Sequence, residues 1–493
     1  MDYNSLYTGE SIDSVIARNR YTQEIFIDPL NGNDASSGSI KSPIQTFAQL
    51  NTLAPAAGSR IIIKNSAIIR ELFAPTFSGT VDKPIIIIPY GDDYARLSCC
   101  DLATSWAKTG GQTNVYEITR AIQANGNTGG LVLENKVRLS RLASIAAVDA
   151  AAGSFYHDGT KYYIHTTGSD SPLSNGLPYE VGARNTGIDT PTTAQDLEFH
   201  GLDVYGASGD NTTYGNIECS GKRINFHNIE SSLAIRHGLQ YLSAEYCHTY
   251  DSKVTDIEGI ALSMFTTNAA DSTCVSCTVE KSEILDSNGL VTIHGVDNTD
   301  NVPTNCGVVE CEMNVDNIAS TIDVSAPKNH LVLYGTNGCF MEGCKVSGDS
   351  VSTANPFYIG HASAAAANVG VKIAGNQIAC ADFNAAVDAF FIDGRNGLNE
   401  VEFLGNYMFG NNTESAIRSF GSTGINKVNV QGNKFKDMEV AFHTDAAAEA
   451  HWSSDYNVFN GLTAQANNSV GNSRTFAQWT TETGNNDTGS VNA

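Results

Sequence analysis

The sequence predicts an all-β fold, a right-handed parallel β-helix solenoid of about ten or more coils, and two observations lead to this prediction. From about residue 197 onward one pattern recurs, in which alternating apolar residues are followed by a small or polar turn and one more apolar residue. A second short strand separates most copies of this pattern, and Gly, Asn and Ser interrupt the chain between them. Short strands that recur in this way are typical of solenoids, in which each coil packs only on its neighbours.

Composition supports a repeat architecture and excludes two classes of partner. A chain of 493 residues is long for one globular core. It carries 29 Lys and Arg against 53 Asp and Glu, a formal net charge of −24. Because phosphate binding needs a basic surface, nucleic acid and anionic membranes are not expected as partners. No apolar run approaches the roughly 20 residues that span a bilayer, so no membrane segment is expected.

Residues 25–91 contain the elements expected at the start of such a solenoid. A strand precedes the turn sequence NGND, and SPIQTFAQL predicts a short helix that caps the open apolar end. The strands in RIIIK and SGTVDKPIIIIPYG follow. This succession resembles the opening of right-handed parallel β-helix proteins of the pectate-lyase-like superfamily, which include polysaccharide lyases and phage tailspikes. The resemblance implies the same fold, and FYHDGTKYYIHTTGSDSP at 155–172 predicts a hairpin added to it.

The first twenty residues resemble the short connector that precedes many phage tail-fibre and tailspike domains. Ile12, Val15 and Ile16 would form one apolar face of a short helix, and such a face would seed a trimer. The resemblance implies a homotrimer in a virion tail, outside the host cell. The segment also lacks the basic and apolar regions of a secretory signal, so we expect release by host lysis.

Four regions are expected along the chain. They are an N-terminal connector (1–20), an N-terminal cap with the first coils and hairpin insertions (21–190), the main β-helix (191–463) and a C-terminal tail (464–493) cut before a further domain.

Alignment of the repeats places cysteines in two columns, and eleven cysteines, an odd number, favour free thiols. The first column is interpreted as inward thiols that stack from coil to coil, and the second as a ladder that ends in hydrogen-bonded amides. Zinc needs four converging ligands whereas successive coils supply a line, so no metal site is expected, even at CVSC (274–277). The columns are Cys277, Cys306, Cys339 and Val371, and Ser282, Cys311, Cys344, Asn376, Asn406 and Asn433.

Glycan hydrolysis needs two carboxyl groups roughly 5 to 10 Å apart, a spacing that adjacent coils about 4.8 Å apart can supply. Residues 251–300 are the richest source of such groups. We predict Asp256 and Asp297 as the first pair for acid and base, with Asp251 and His294 as further catalytic candidates. A solvated turn residue is the alternative interpretation of each of these carboxylates, and for any single one the pattern favours it. No cofactor is required, although the clustered oxygens of DNTDN would also suit Ca²⁺.

A strip of outward side chains on the intermediate strands is predicted to bind the glycan. Aromatic rings stack on sugars, and we expect Gly335 and Gly394 to leave room for a ligand beside two of these residues. An ordinary β surface is the alternative interpretation. The strip consists of Tyr334, Tyr358, His361, Asp393 and Arg418.

The predicted function is therefore binding and cleavage of a bacterial surface or extracellular polysaccharide, by a depolymerase of the glycoside hydrolase type. Polysaccharide lyase chemistry is one alternative, because SLAIRHGLQYL (232–242) resembles the RHG segment of alginate and chondroitin lyases. That resemblance implies Arg236 as the group that neutralises a uronate, with Lys222 or Lys253 as base. The Asn-Lys-Ser segment of those lyases is missing. A non-catalytic adhesin solenoid is the other alternative.

Overall fold

The chain was analysed as a computed structural model. The residues that the structure describes are 21–91, 93–121, 130–209, 214–267, 272–295, 301–314, 330–347, 357–360, 369–379, 388–393, 400–410, 415–420, 427–438, 440–444, 452–460, 462, 464–468, 473–474 and 491–492. The helical connector predicted for 1–20 lies outside them.

Three long sheets run along the molecule, and the chain visits them in turn. Strands are numbered along the chain. Sheet 1 contains β1 (Gln23–Ile27), β2 (Ser59–Ile63), β3 (Ile85–Pro89), β15 (Gln195–His200), β18 (Lys222–His227), β21 (His248–Tyr250), β24 (Thr278–Glu280), β27 (Gly307–Val309), β30 (Phe340–Glu342), β33 (Val371–Ala374), β36 (Val401–Leu404), β39 (Val428–Gln431) and β42 (Trp452–Asp455).

Sheets 2 and 3 have twelve strands each. Sheet 2 contains β4 (Ala95–Ser98), β16 (Leu202–Tyr205), β19 (Glu230–Ser232), β22 (Lys253–Thr255), β25 (Glu283–Leu285), β28 (Glu312–Asn314), β31 (Lys345–Ser347), β34 (Gln377–Ala379), β37 (Tyr407–Phe409), β40 (Lys434–Lys436), β43 (Val458–Asn460) and β46 (Val491–Asn492). Sheet 3 contains β14 (Ile188–Thr190), β17 (Gly215–Cys219), β20 (His237–Leu242), β23 (Ile260–Phe265), β26 (Gly289–His294), β29 (Leu331–Tyr334), β32 (Phe357–Gly360), β35 (Phe390–Asp393), β38 (Ile417–Phe420), β41 (Val440–Thr444), β44 (Ala464–Asn468) and β45 (Ser473–Arg474).

From β15 to β44 the order sheet 1, sheet 2, sheet 3 repeats without interruption, which gives ten coils in the described part of the chain. Pairing between these coils is parallel, for example Val371 with Val401 and Val401 with Val428. The predicted parallel β-helix is therefore confirmed.

Alternation along each strand fills the interior of the solenoid. Phe199 stacks on Phe226 with ring centroids 5.1 Å apart, and Phe357 stacks on Phe390 at 4.2 Å. These four rings are fully buried. Burying one such side chain contributes about 1.5 to 3 kcal/mol, so each stacked pair is a substantial part of the core.

Both cysteine columns are confirmed. Cys277, Cys306 and Cys339 follow one another in the register of sheet 1, and all three are buried. At the corner between sheets 1 and 2, the Nδ2 of Asn376 donates to Asn406 Oδ1 at 2.9 Å, and Asn406 repeats this contact with the next coil. The ladder extends one coil further than predicted, because Asn433 donates to Asn457 at 3.1 Å.

The corner between sheets 1 and 2 also requires a left-handed backbone conformation in every coil. Gly343, Gly375, Gly405 and Gly432 occupy it with φ of 64° to 65°. Glycine adopts this conformation without a steric cost, which explains its recurrence just before the ladder residues.

The predicted capping helix is present as α1 (Phe47–Leu53). The Thr46 side chain caps it by accepting a hydrogen bond from the Gln49 N–H. Phe47 and Leu50 are buried, and the Phe47 ring stacks on Phe73 at 4.1 Å. The helix therefore closes the apolar end of the first coils.

An inserted subdomain separates β4 from β14. Its own core includes Trp106, Phe155 and Tyr162, and β11 and β12 form the antiparallel hairpin predicted within 155–172. Its elements are β5 (Cys100–Leu102), β6 (Ala107–Lys108), β7 (Tyr116–Thr119), β8 (Val132–Glu134), β9 (Val137–Arg138), β10 (Ser140–Arg141), α2 (Ile145–Ala150), β11 (Ser154–His157), β12 (Lys161–His165) and β13 (Tyr179–Gly182). Across the described residues, neither helix has the length and apolar character needed to span a bilayer.

Candidate functional site

The three described catalytic candidates lie at three different places around the coil. Asp251 follows β21 at the corner between sheets 1 and 2, whereas Asp256 follows β22 at the corner between sheets 2 and 3. His294 ends β26, where the chain leaves sheet 3. The structure does not bring these three side chains together, because each belongs to a different corner. Asp297 and His361 lie outside the described residues.

Asp251 and Asp256 have backbone roles at their corners. Their φ values are 48° and 56°, and Asp is one of the few residue types that adopt this left-handed conformation readily. The Asp256 carbonyl accepts a hydrogen bond from Arg138 of the inserted subdomain at 3.0 Å. Burial raises the pKa of the Asp256 carboxyl, with Arg138 opposing the shift and Asp286, at the same corner of the next coil, adding to it.

The outward side of sheet 3, called here the sheet-3 face, brings most of the predicted binding strip together. The inward residues of its strands belong to the core, so the residues between them point outward. One outward column contains Asp189, Glu218, Gln240, Ser263, Thr292, Val332, Tyr358, Phe391, Arg418 and His443. The other contains Leu242, Phe265, His294, Tyr334, Gly360 and Asp393.

Three rings form a stack in the second column. Phe265 and His294 lie 5.1 Å apart with ring planes 6° from parallel, and His294 and Tyr334 lie 4.8 Å apart. All three are partly exposed. The stack presents a continuous aromatic edge along the solenoid axis, a surface suited to the apolar faces of sugar rings.

The remaining strip residues are held by contacts within the protein. Tyr358 lies 6.1 Å from Phe391 in a stacked arrangement, and its hydroxyl donates to Asp393 Oδ2 at 3.0 Å. Arg418 lies over Phe391 and forms an ion pair with Asp388 at 3.1 Å. These residues form a patch of mutually contacting polar and aromatic side chains beyond the aromatic stack.

Asp393 is predicted to face outward with room for a ligand beside it, but the residue is only 1% exposed. A Cβ added at Gly360 would lie 2.7 Å from both Asp393 Cβ and the Tyr358 hydroxyl. The glycine at 360 therefore makes room for this Asp–Tyr contact. No room for a ligand is left at Asp393 on that side, and Gly394 lies outside the described residues.

A pair of carboxyl groups at the N-terminal end of the sheet-3 face is the most distinctive chemical feature there. Asp189 of β14 and Glu218 of β17 are register partners on adjacent parallel strands. Both are partly exposed, and within the described residues no Lys or Arg forms an ion pair with either of them. Side chains in this relation lie about 5 Å apart.

The surroundings of the pair favour a state in which one of the two carboxyl groups is protonated and the other is ionised. Burial raises the pKa of Glu218 to about 8, and the neighbouring Asp189 carboxylate adds to the shift. Burial also raises the pKa of Asp189. Two close carboxyl groups cannot both ionise easily, so the pair holds one proton near neutral pH. A proton held on Glu218 beside an ionised Asp189 is the arrangement of a general acid and its partner.

Sequence reasoning missed this pair, although a signal exists. Each acid stands between inward-facing residues, in IDT (188–190) and IEC (217–219). The inserted subdomain immediately precedes β14 and interrupts the repeat there. Asp189 therefore lies before the regular repeat, which begins at about residue 197, and the repeat pattern does not relate it to Glu218.

The residues implied for a lyase are not assembled. Lys222 begins β18 in sheet 1 and forms an ion pair with Glu245. Lys253 begins β22 in sheet 2 and pairs with Glu283 at 3.1 Å. Arg236 lies just before β20, at the entry to sheet 3. Two paired ammonium groups on other sheets are poorly placed to act as a base beside Arg236.

Potential metal ligands converge at one place in the part of the chain that the structure describes. The sulfur atoms of Cys274, Cys277 and Cys306 lie within 4.8 Å of one another. Four of the five residues of the DNTDN segment considered for Ca²⁺, 297–300, fall outside that part.

No protein-family model and no curated protein sequence matches the chain. Among solved structures, one titled "Glycoside hydrolase" gives a TM-score of 0.52 at 12% identity, covering 90% of this chain and 96% of its own. XylC, solved in complex with xylose, gives 0.50 at 10% identity, covering 89% of this chain and 75% of its own. Identities this low establish a shared fold alone, and the fold implied by the resemblance of residues 25–91 is confirmed.

Proposed function

We propose that the protein binds and cleaves a bacterial surface or extracellular polysaccharide by hydrolysis. In this proposal Glu218 is the general acid that protonates the glycosidic oxygen, and the Asp189 carboxylate attacks or stabilises the anomeric carbon. The observation that carries the proposal is the register pair itself, half-buried on an outward face, with the pKa of Glu218 raised to about 8. The pairing of Asp256 with Asp297 stays a prediction.

The spacing of the pair favours a retaining mechanism. Retaining glycosidases place their two carboxyl groups about 5 to 5.5 Å apart, while inverting enzymes need about 6.5 to 9.5 Å for a water molecule. Register partners on adjacent strands lie near the shorter value. Asp189 would then form a covalent glycosyl ester, and Glu218 would deprotonate the water that hydrolyses it.

The aromatic stack supports a polymeric substrate. His294 lies three strands beyond Glu218 on the same face, a separation of about 14 Å along the axis. Gln240 and Ser263 lie between them on this face and are buried, so the carboxyl pair and the rings are two separate exposed patches, and only a substrate of polymer length would contact both. The net charge of −24 favours a neutral glycan over a polyanion.

Incubation with a panel of neutral and acidic capsular and extracellular polysaccharides tests the proposal. Hydrolysis releases reducing ends without an unsaturated product, whereas β-elimination releases reducing ends together with ultraviolet absorbance from the new double bond. We expect reducing ends alone. Both signals together would assign a lyase, and neither signal across a panel to which the protein binds would assign an adhesin.

A trimeric virion tailspike is the second part of the proposal, and its support is the resemblance of residues 1–20 to tail connectors. Static light scattering should give about three times the chain mass of 52.4 kDa. A monomeric mass at micromolar concentration would contradict this part and leave the cleavage proposal intact.

A further inference from the structure

A triangle of cysteine sulfurs inside the solenoid departs from the simple thiol column that the repeats predict. Cys277 and Cys306 belong to the column in sheet 1, on adjacent coils. Cys274 belongs to the preceding corner, so its sulfur approaches the column from the side and lies 3.7 Å from that of Cys306. The three sulfurs are mutually within 4.8 Å, and all three residues are fully buried.

The triangle has the dimensions of a three-coordinate metal site. Metal–thiolate bonds of about 2.3 Å to a central ion separate three sulfurs by about 4 Å. The three separations, 3.7 Å for Cys274 to Cys306 and at most 4.8 Å for the others, lie within about 1 Å of that value. Convergence of three ligands was not expected from successive coils, and the corner position of Cys274 explains it.

We propose that Cys274, Cys277 and Cys306 form a binding site for a soft, thiophilic monovalent cation of the Cu(I) type. Thiolates select such ions, and a low coordination number suits a site enclosed by the apolar core.

Binding competes with hydrogen bonds that the thiols now make. Cys277 donates to the Ala244 carbonyl and Cys306 to the Cys274 carbonyl, each at 3.4 Å. Thiols bind such a cation as thiolates, so binding must also displace their protons. Because the three sulfurs are enclosed in the core, the cation would have to bind while the coils fold around it.

The test is refolding of the full chain from urea with Cu(I) and a reductant, followed by gel filtration against a Cu(I) chelator and metal analysis. We expect one retained Cu(I) per chain, and three sulfur ligands by X-ray absorption. Cys277→Ser and Cys274→Ala should each lose the metal. Cys311→Ser is the matched control, since Cys311 is equally buried but outside the triangle, and it should keep one equivalent.

Two results would overturn the proposal. One is a folded wild-type protein, with unchanged circular dichroism, that retains no copper. The other is equal retention by the Cys274→Ala and Cys311→Ser variants, which would assign the metal to thiols elsewhere. Cys274→Ala removes one sulfur at a corner and leaves the inward column intact, so its folding is separable from its metal binding.

Discussion

At the scale of single residues, the proposed mechanism depends on which carboxyl group of the pair holds the proton. Glu218 lies on a half-buried face beside a second carboxylate, and these two causes hold its proton up to a pH of about 8. Asp189 must be ionised at the same time to act as the partner. In the proposed mechanism Glu218 must therefore be protonated and Asp189 ionised at the same pH, the arrangement that lets one site supply an acid and a nucleophile at neutral pH.

A pH dependence of activity follows from this. Because the pKa of Glu218 is raised, its acid form predominates below about pH 8 and is lost above it. We expect kcat/KM to fall about tenfold per pH unit on the alkaline side of that value. Initial rates of reducing-end release between pH 5 and 10 measure this, with circular dichroism at each pH as the control for folding. A rate that stays constant to pH 10 would contradict the role of Glu218.

Individual site residues could be predicted from sequence only in part. His294, Tyr334, Tyr358 and Arg418 do share one face, because strand alternation fixes which residues point outward. Asp251 and Asp256 are close in sequence but occupy different corners, since a strand of three residues separates them. Closeness along the chain is therefore a poor guide to closeness in a solenoid.

At the scale of elements, the asparagine ladder fixes the corner between sheets 1 and 2. Asn406 accepts from the Asn376 N–H at 3.0 Å and donates to the Ile373 carbonyl at 2.8 Å, besides its contact with Asn433. Each buried polar group left without its partner costs about 1 to 3 kcal/mol. The ladder thus acts as a series of linked, fully satisfied amides.

Replacing Asn406 by Ala tests this. We expect the free energy of unfolding to fall by about 2 to 4 kcal/mol, because several buried groups lose partners. Urea unfolding followed by circular dichroism gives the value. Gln377→Ala is the control, since this side chain is exposed on sheet 2 and should change stability by less than about 0.5 kcal/mol. Equal effects of the two substitutions would show that the ladder contributes no special stability.

The inserted subdomain is attached to the solenoid through Arg138. Its guanidinium forms an ion pair with Glu258 at 3.2 Å and donates to the Ala234 and Asp256 carbonyls. Arg141 contacts the same Glu258 at 3.1 Å, but its side chain is 31% exposed against 5% for Arg138. The two arginines therefore make the same ion pair in different environments.

Their substitutions should differ in size. Arg138→Ala leaves buried carbonyls and a carboxylate with lost partners, and we expect a loss of about 3 to 5 kcal/mol. Arg141→Ala removes a more exposed pair, for which about 1 kcal/mol or less is expected. Amide exchange across 130–182, together with urea unfolding, compares them. Loss of protection in the Arg141 variant as large as in the Arg138 variant would reject Arg138 as the main anchor.

At the scale of the whole molecule, the fold was predictable because the same sequence pattern recurs in each coil, so that every coil predicts the same structure. The turn glycines, the inward cysteines and the capping segment all pointed to one architecture. The carboxyl pair and the thiol triangle were not predictable, for a shared reason. Each depends on a residue outside the regular repeat, Asp189 after the inserted subdomain and Cys274 at a corner.

The central claim is that the sheet-3 face cleaves a glycan with Glu218 as acid. Its most direct measurement is the rate of reducing-end release by Glu218→Gln beside Glu312→Gln, the same change on the exposed outer side of sheet 2. We expect the first to lose about 100-fold or more in turnover while still binding substrate, and the second to retain full activity. Full turnover by Glu218→Gln would contradict the account.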